Sequence, residues 1–300
     1  MGSAMTLHAA IPADLEALRT LIAEASGPLC YVAGGTDLLV APRAPPSQGW
    51  LIDISRTAGL AFVAADEERL AIGATTTIAA IARDPTIQRH FAALAQAAEL
   101  CGSAQIRNRA TIGGNVAGAS PAGDLLPALK CADARFTVLG RDGAERRFAF
   151  DALVLGAGKT SLAPGDLIAA IEIPLRRRLL RSAFVKLGRR DDLTISRLNL
   201  TLEADFDNET GRFGEARLVA GAVGPTPLRL DAAAATLAGG ALGGALIRAF
   251  LAALWQAIDA AIPGRDSRPY KRRAVIGLGF DLLERITGVP ALDAIAGSLP

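Results

Sequence analysis

The sequence predicts an α+β protein assembled from more than one packed unit, and three observations lead there. An apolar helical stripe near the start is followed by short apolar runs, the middle mixes period-two stretches with helical ones, and the last third sets its strands before its helices. At 300 residues and 51% hydrophobic content, the chain also exceeds what one core ordinarily holds.

Leu15, Leu18, Leu21 and Ile22 recur at helical spacing within residues 13–26, ahead of an apolar strand at Leu29–Val32. A proline-rich link at Pro42, Pro45 and Pro46 leads to a further apolar run at 51–54, which completes a small α/β unit. Stretches 61–65 and 69–74 read as strands around an acidic turn, followed by helical sequence at 78–82 and 91–100. Residues 134–139 and 167–173 alternate as strands again. The arginine-rich stretch Arg176, Arg177, Arg178 and Arg181 reads as a solvated linker, so a domain boundary is expected near 175–181. Strands at 183–187, 198–204 and 216–223 then precede Ala-rich helices at 231–262 and 268–286. The Ala232–Ala235 and Gly239–Gly244 runs are compositional bias without an internal repeat.

Charge and composition exclude several classes. With 32 basic against 30 acidic residues and a net charge of +2, no global field draws nucleic acid or an anionic membrane. The first ten residues lack a basic segment followed by an apolar stretch, and the Ala-rich runs are interrupted by charge or glycine, so no membrane insertion and a cytoplasmic location are expected. Three scattered cysteines, Cys30, Cys101 and Cys131, cannot make a disulfide framework or a four-thiolate cluster. His8 and His90 stand apart from any cysteine or carboxylate motif, so neither a metal site nor a catalytic triad is expected. Cys30 precedes a glycine loop, but small thiols usually serve packing.

Two glycine-rich, threonine-bearing loops carry the chemistry. Ala33-Gly34-Gly35-Thr36-Asp37, continuing into Leu38, follows the strand at Leu29–Val32, and Ala110-Thr111-Ile112-Gly113-Gly114-Asn115 lies far downstream, followed by Ser120-Pro121-Ala122-Gly123-Asp124. Adjacent glycines allow sharp turns and close backbone approach, and their exposed N–H groups form a cradle for phosphate oxygens. Each loop alone is equally well a tight turn; together they suggest a diphosphate held from both sides. Gly158-Lys159-Thr160 is no NTPase phosphate loop, because the earlier glycine it requires is Leu153. Lys159 reads as a local turn or interface element. No Gly-x-Gly-x-x-Gly follows the first strand, so a Rossmann dinucleotide site is not expected.

At these loops the sequence resembles the FAD-binding medium subunit of molybdenum hydroxylases, the group of bacterial xanthine dehydrogenases, carbon monoxide dehydrogenase and 4-hydroxybenzoyl-CoA reductase. The likeness continues through Gly156-Ala157-Gly158-Lys159-Thr160, Pro164-Gly165-Asp166-Leu167-Ile168 and Ile171-Glu172-Ile173-Pro174. It extends to Lys186-Leu187-Gly188-Arg189-Arg190 with Ile195-Ser196, to Gly224-Pro225-Thr226-Pro227-Leu228-Arg229, and to Tyr270-Lys271-Arg272-Arg273. The resemblance implies a two-part FAD-binding domain of the vanillyl-alcohol-oxidase/MurB-like type over residues 1–175, with subdomains of about 1–58 and 59–175. It further implies a C-terminal domain of antiparallel sheet and helices over 181–300.

Under that resemblance, residues 33–37 and 111–115 supply main-chain and hydroxyl donors to the diphosphate and ribityl portion of noncovalently bound FAD. Asp124 adds a polar contact to a ribose or ribityl hydroxyl; as a local reading it N-caps residues 125–129, and the two roles are compatible. Ile171 packs against the isoalloxazine, and Lys186 lies near the ring or its rim, where a positive charge would stabilise reduced flavin. Arg189 and Arg190 either lie on a rim that meets an electron acceptor or another subunit, or simply solvate a turn. No residue is assigned a catalytic role. The implied function is electron transfer: a 2Fe–2S subunit receives electrons from a molybdenum-cofactor subunit and passes them through FAD to NAD, oxygen, a quinone or another acceptor. The partners would form a heterotrimer that can dimerise, with iron–sulfur clusters and molybdenum only on the partner chains. The alternatives are a self-contained flavin oxidoreductase and a cofactor-free structural subunit.

Overall fold

The computed structural model describes residues 6–40, 46–175, 180–190 and 193–290. The linker residues Arg176, Arg177 and Arg178 lie outside the described residues. The first unit is a three-stranded parallel sheet, order β1-β3-β2, of β1 (Leu7–Ala10), β2 (Leu29–Val32) and β3 (Gly49–Asp53), with helix α1 (Leu15–Glu24) between β1 and β2. Asp14 starts α1 by accepting from the Ala17 N–H at 2.9 Å, a side-chain cap of the kind that satisfies the orphan donors of a first helical turn. Leu18 and Ile22 of α1 bury against Ile52 of β3, which is the helical stripe read from the sequence.

The second unit is an antiparallel sheet of order β4-β5-β10-β6-β7. Its strands are β4 (Val63–Ala65), β5 (Arg69–Gly73), β6 (Arg135–Leu139), β7 (Glu145–Ala149) and β10 (Leu167–Pro174), and a small hairpin, β8 (Val154–Gly156) with β9 (Lys159–Thr160), hangs beside it. Between β5 and β6 run α2 (Ile78–Arg83), α3 (Pro85–His90), α4 (Ala92–Glu99), α5 (Ala104–Arg107), α6 (Ile112–Gly118) and α7 (Leu125–Cys131), while α8 (Phe150–Leu153) follows β7. The helical stretch expected over 91–100 stops at Glu99, with Phe91 closing α3 ahead of it. The edge strand β7 escapes the sequence reading because Glu145, Arg146 and Arg147 are exposed and show no apolar alternation.

The C-terminal sheet, order β11-β12-β13-β14, contains β11 (Arg181–Leu187), β12 (Leu198–Asp207), β13 (Arg212–Gly221) and β14 (Leu228–Arg229). It is covered on both faces, so β12 is buried continuously from Leu198 to Ala204 although its sequence alternates apolar with polar residues. Ala183 and Val185 enter the C-terminal core, whereas Phe184 and Val219 enter the core of the middle unit, against α4 and α7. Arg181, expected in a solvated linker, is the first residue of β11 and donates to the Ile286 carbonyl at 2.7 Å.

The helical stretch expected over 231–262 is two helices, α9 (Asp231–Leu237) and α10 (Gly244–Ala261), separated by the glycines at 239–240, before α11 (Arg268–Thr287). Contrary to the expectation that charge and glycine cut the Ala-rich runs short, α10 is long and apolar enough to cross a bilayer by length and composition. Ile247, Phe250, Leu254 and Ile258 carry one of its faces into the core.

Candidate functional site

The two glycine loops meet. Together with Ile78, Ile106, Gly118, Pro121 and Gly158 they line a cleft of about 570 Å³, within the range of about 300–1,000 Å³ of small-molecule sites. Of the expected residues, Ala33, Gly34, Gly35, Thr36, Asp37, Leu38, Ala110, Thr111, Gly114, Asn115 and Ser120 all line it.

The loops differ in what they offer. In the first, Gly35 adopts φ +71°, a left-handed conformation that favours glycine, and its carbonyl accepts from Leu39 N–H to close one helical turn. The N–H groups of Gly34, Gly35, Thr36 and Leu38 have no hydrogen-bond partner among the described residues. An array of unused donors at a glycine turn is the geometry that a phosphate cradle requires.

The second loop is not a cradle. It is the N-terminus of α6, and the amides there are already used: Ile112 donates to Thr76 O, Gly113 to Ala74 O, Gly114 to Thr111 Oγ1 and Asn115 to Thr111 O. Gly113 does not line the cleft. A Cβ there would stand 2.6 Å from Ala74 Cβ, so the glycine serves helix-to-strand packing. What α6 offers is side chains: the Asn115 Oδ1 is buried without a hydrogen-bond partner, and buried polar atoms of this kind call for one.

Asp124 and Lys186 depart from expectation together. Asp124 caps nothing; its carboxylate accepts from Lys186 Nζ at 2.6 Å, Ser196 Oγ at 2.5 Å and Asn199 Nδ2 at 3.3 Å. Burial pushes its carboxyl above the usual aspartate range, against the opposing pull of Lys186 and the two neutral donors. Both side chains are nearly buried, and neither lines the loop cleft. Lys186 instead borders a neighbouring cavity of about 810 Å³, and its charge is already matched by Asp124. Residues 99–107 separate the two cavities, with Leu100, Gly102 and Arg107 facing the larger and Cys101 and Ile106 the cleft. Arg189 and Arg190 border the larger cavity, where Arg190 turns back to the Leu193 carbonyl at 2.7 Å.

Ile171 reaches neither cavity. It is fully buried in the middle core, opposite Ile72 and Phe136 on the neighbouring strands. Ile171→Val is therefore expected to cost about 0.5–1.5 kcal/mol of stability by loss of a buried methyl group, while flavin affinity stays within about twofold. Denaturant unfolding and flavin titration of the same variant check this, and a large loss of affinity at unchanged stability would return Ile171 to the site.

Sequence reasoning misses Tyr31, Ile78, Cys101, Ile106, Gly118 and Gly158 as cleft residues. Gly158 carried a signal, its place in a family segment; it reaches the cleft because its N–H donates to the Ala119 carbonyl at 2.9 Å. Cys101 brings a thiol to the cleft that no sequence pattern singled out. Its pKa is pushed up to about 11, first by burial and then by the Asp124 charge, so it remains a neutral thiol and a poor nucleophile toward a bound ligand.

Comparison with known proteins adds the following. Residues 5–176 match the family model described as the FAD binding domain in molybdopterin dehydrogenase, and residues 182–286 match the CO dehydrogenase flavoprotein C-terminal domain. The chain is 30% identical to the nicotinate dehydrogenase FAD subunit of Eubacterium barkeri, over 87% of this chain and 90% of that one. It is 30% identical to the 6-hydroxypseudooxynicotine dehydrogenase complex subunit alpha of Paenarthrobacter nicotinovorans, over 85% and 86%. Among solved structures, the Hydrogenophaga pseudoflava carbon monoxide dehydrogenase lacking the Mo-pyranopterin moiety matches with a TM-score of 0.79 and 26% identity, over 95% of this chain and 98% of that one.

Proposed function

The chain belongs to the FAD-binding medium subunits of molybdenum hydroxylases, and from that membership we propose that it is the electron-transferring flavoprotein of a heterotrimer. The other two chains carry the molybdenum cofactor and the 2Fe–2S clusters, and substrate hydroxylation takes place only in the complex. Electrons leave to NAD, oxygen, a quinone or another carrier, in the cytoplasm. Residues 1–175 form the FAD-binding domain, and residues 181–300 the C-terminal domain.

One observation carries the reading: four backbone amides without partners among the described residues stand in the same cleft as the buried, unpartnered Asn115 Oδ1. A set of N–H donors at a glycine turn suits a diphosphate, and hydroxyl and amide side chains suit the ribityl and ribose hydroxyls. In this reading residues 33–38 hold the diphosphate, and Thr111, Asn115 and Ser120 face the polyol. A purely structural role leaves the four amides unexplained. Bound FAD supplies a redox centre that takes up electrons singly and gives them up as a pair. The chain's part is to bind and orient it, and to hold Lys186 and Asp124 as a matched pair behind the larger cavity.

The test is titration of the flavin-free chain with FAD. Fluorescence quenching saturating at a single flavin per chain is expected, with an intact yellow chromophore released by heat or acid because the neutral Cys101 thiol forms no bond to it. Binding of FMN alone, or of no flavin, would overturn the proposal.

A further inference from the structure

The Tyr270-Lys271-Arg272-Arg273 segment is not used by the site described above, yet Lys271 stands out on physical grounds. It lies in the first turn of α11 with 7% exposure, and its ammonium has a single partner among the described residues, the Ala222 carbonyl at 2.5 Å. Among the described residues no carboxylate answers it; the charges that face it, Arg265 from the turn before α11 and Arg197 from the segment before β12, are both positive, and burial together with them lowers its pKa. A buried ammonium without a counter-ion is costly.

Ala222 is equally unusual. It directly follows β13 with φ +61°, the left-handed region that strains a residue with a Cβ and persists only where its surroundings hold it. Both of its backbone groups are held: its carbonyl by Lys271, and its N–H by the Pro121 carbonyl at 3.1 Å. Pro121 and its neighbour Ser120 are walls of the loop cleft. The preceding glycine makes the approach possible, since a Cβ on Gly221 would fall 2.5 Å from Pro127 Cγ and 2.2 Å from Asn199 Oδ1.

We propose that Lys271 is a positioning residue for the flavin cleft: from the last helix it holds Ala222 in its left-handed turn, so that the Ala222 N–H fixes the 120–121 wall against which the cofactor lies. The inference rests on the reading of the cleft as the FAD site. Lys271 itself does not line the cleft.

The test compares Lys271→Met, Lys271→Met with Ala222→Gly, and the unaltered chain, each as the full chain, by FAD titration and by thermal unfolding without flavin. Lys271→Met should raise the FAD dissociation constant about tenfold or more, the order expected for losing a hydrogen bond from a charged donor. Glycine adopts the left-handed turn without being held there, so the double variant should return to within about threefold of the unaltered chain. Wild-type affinity in Lys271→Met, whatever its melting temperature, overturns the inference, and so does failure of the glycine to restore binding. If Lys271→Met alone does not fold, the double variant decides: loading at wild-type affinity supports the inference, and weak loading refutes it. An unaltered chain that binds no FAD would instead refute the reading of the cleft.

Discussion

Gly34→Ala should abolish FAD loading while leaving the secondary structure in place. A Cβ on Gly34 would fall 2.0 Å from the Arg109 carbonyl oxygen and 2.6 Å from its carbon. Both are backbone atoms, with no flexible end to swing away. The first loop must then separate from the segment leading into α6, and the unpartnered amides of Gly34, Gly35 and Thr36 move off the line they now hold. Affinity should fall at least about a hundredfold, or about 2.8 kcal/mol at roughly 1.4 kcal/mol per factor of ten. The strands and helices flanking the loops are anchored in separate cores, so circular dichroism should change little. Gly277→Ala is the control: a Cβ there meets nothing within 4 Å, and the residue sits in α11 outside the lining of the cleft. Flavin bound per chain, measured for both variants, decides the matter; a fully loaded Gly34→Ala would show that the close approach of the two loops is not what shapes the cradle.

Lys186→Met should destabilise the protein by about 3–5 kcal/mol, the penalty for leaving one member of a buried ion pair uncompensated. Lys186 comes from β11 and Asn199 from β12, and both reach across to Asp124 at the start of α7, so the pair fastens the C-terminal sheet to the middle unit. Replacing both charges, as Lys186→Met with Asp124→Asn, should recover most of the loss, because the Coulomb attraction and the cost of burial then disappear together. Denaturant midpoints of the two variants give the comparison. A single variant within about 0.5 kcal/mol of the unaltered chain, the usual span for surface changes, would mean the pair is solvated in solution.

Local pattern alone was enough for much of the architecture. Leu18 and Ile22 bury where their helical spacing puts them, and Leu29–Val32, with the glycine turn after it, forms the strand and the turn expected. Both are short-range consequences of backbone sterics and apolar periodicity. The second loop shows the boundary of such reasoning, because glycine pairs look alike whether they approach a ligand or another strand. Only the contact of Gly113 with Ala74, some forty residues away, reveals which is the case.

What the sequence determined by itself is therefore the kind of protein and the neighbourhood of its site: the α+β units, the family, and the two loops that come together. The tertiary structure alone decided the occupation of each polar group. Asp124 is matched by Lys186, 62 positions away, Ile171 is turned into a core although its strand runs through the family segment, and Cys101 is drawn into the cleft. The physical reason is common to all three. Whether a carboxylate, a methyl group or a thiol faces a ligand or the protein interior depends on desolvation and on partners supplied by distant strands, and one-dimensional periodicity does not encode which strands those will be.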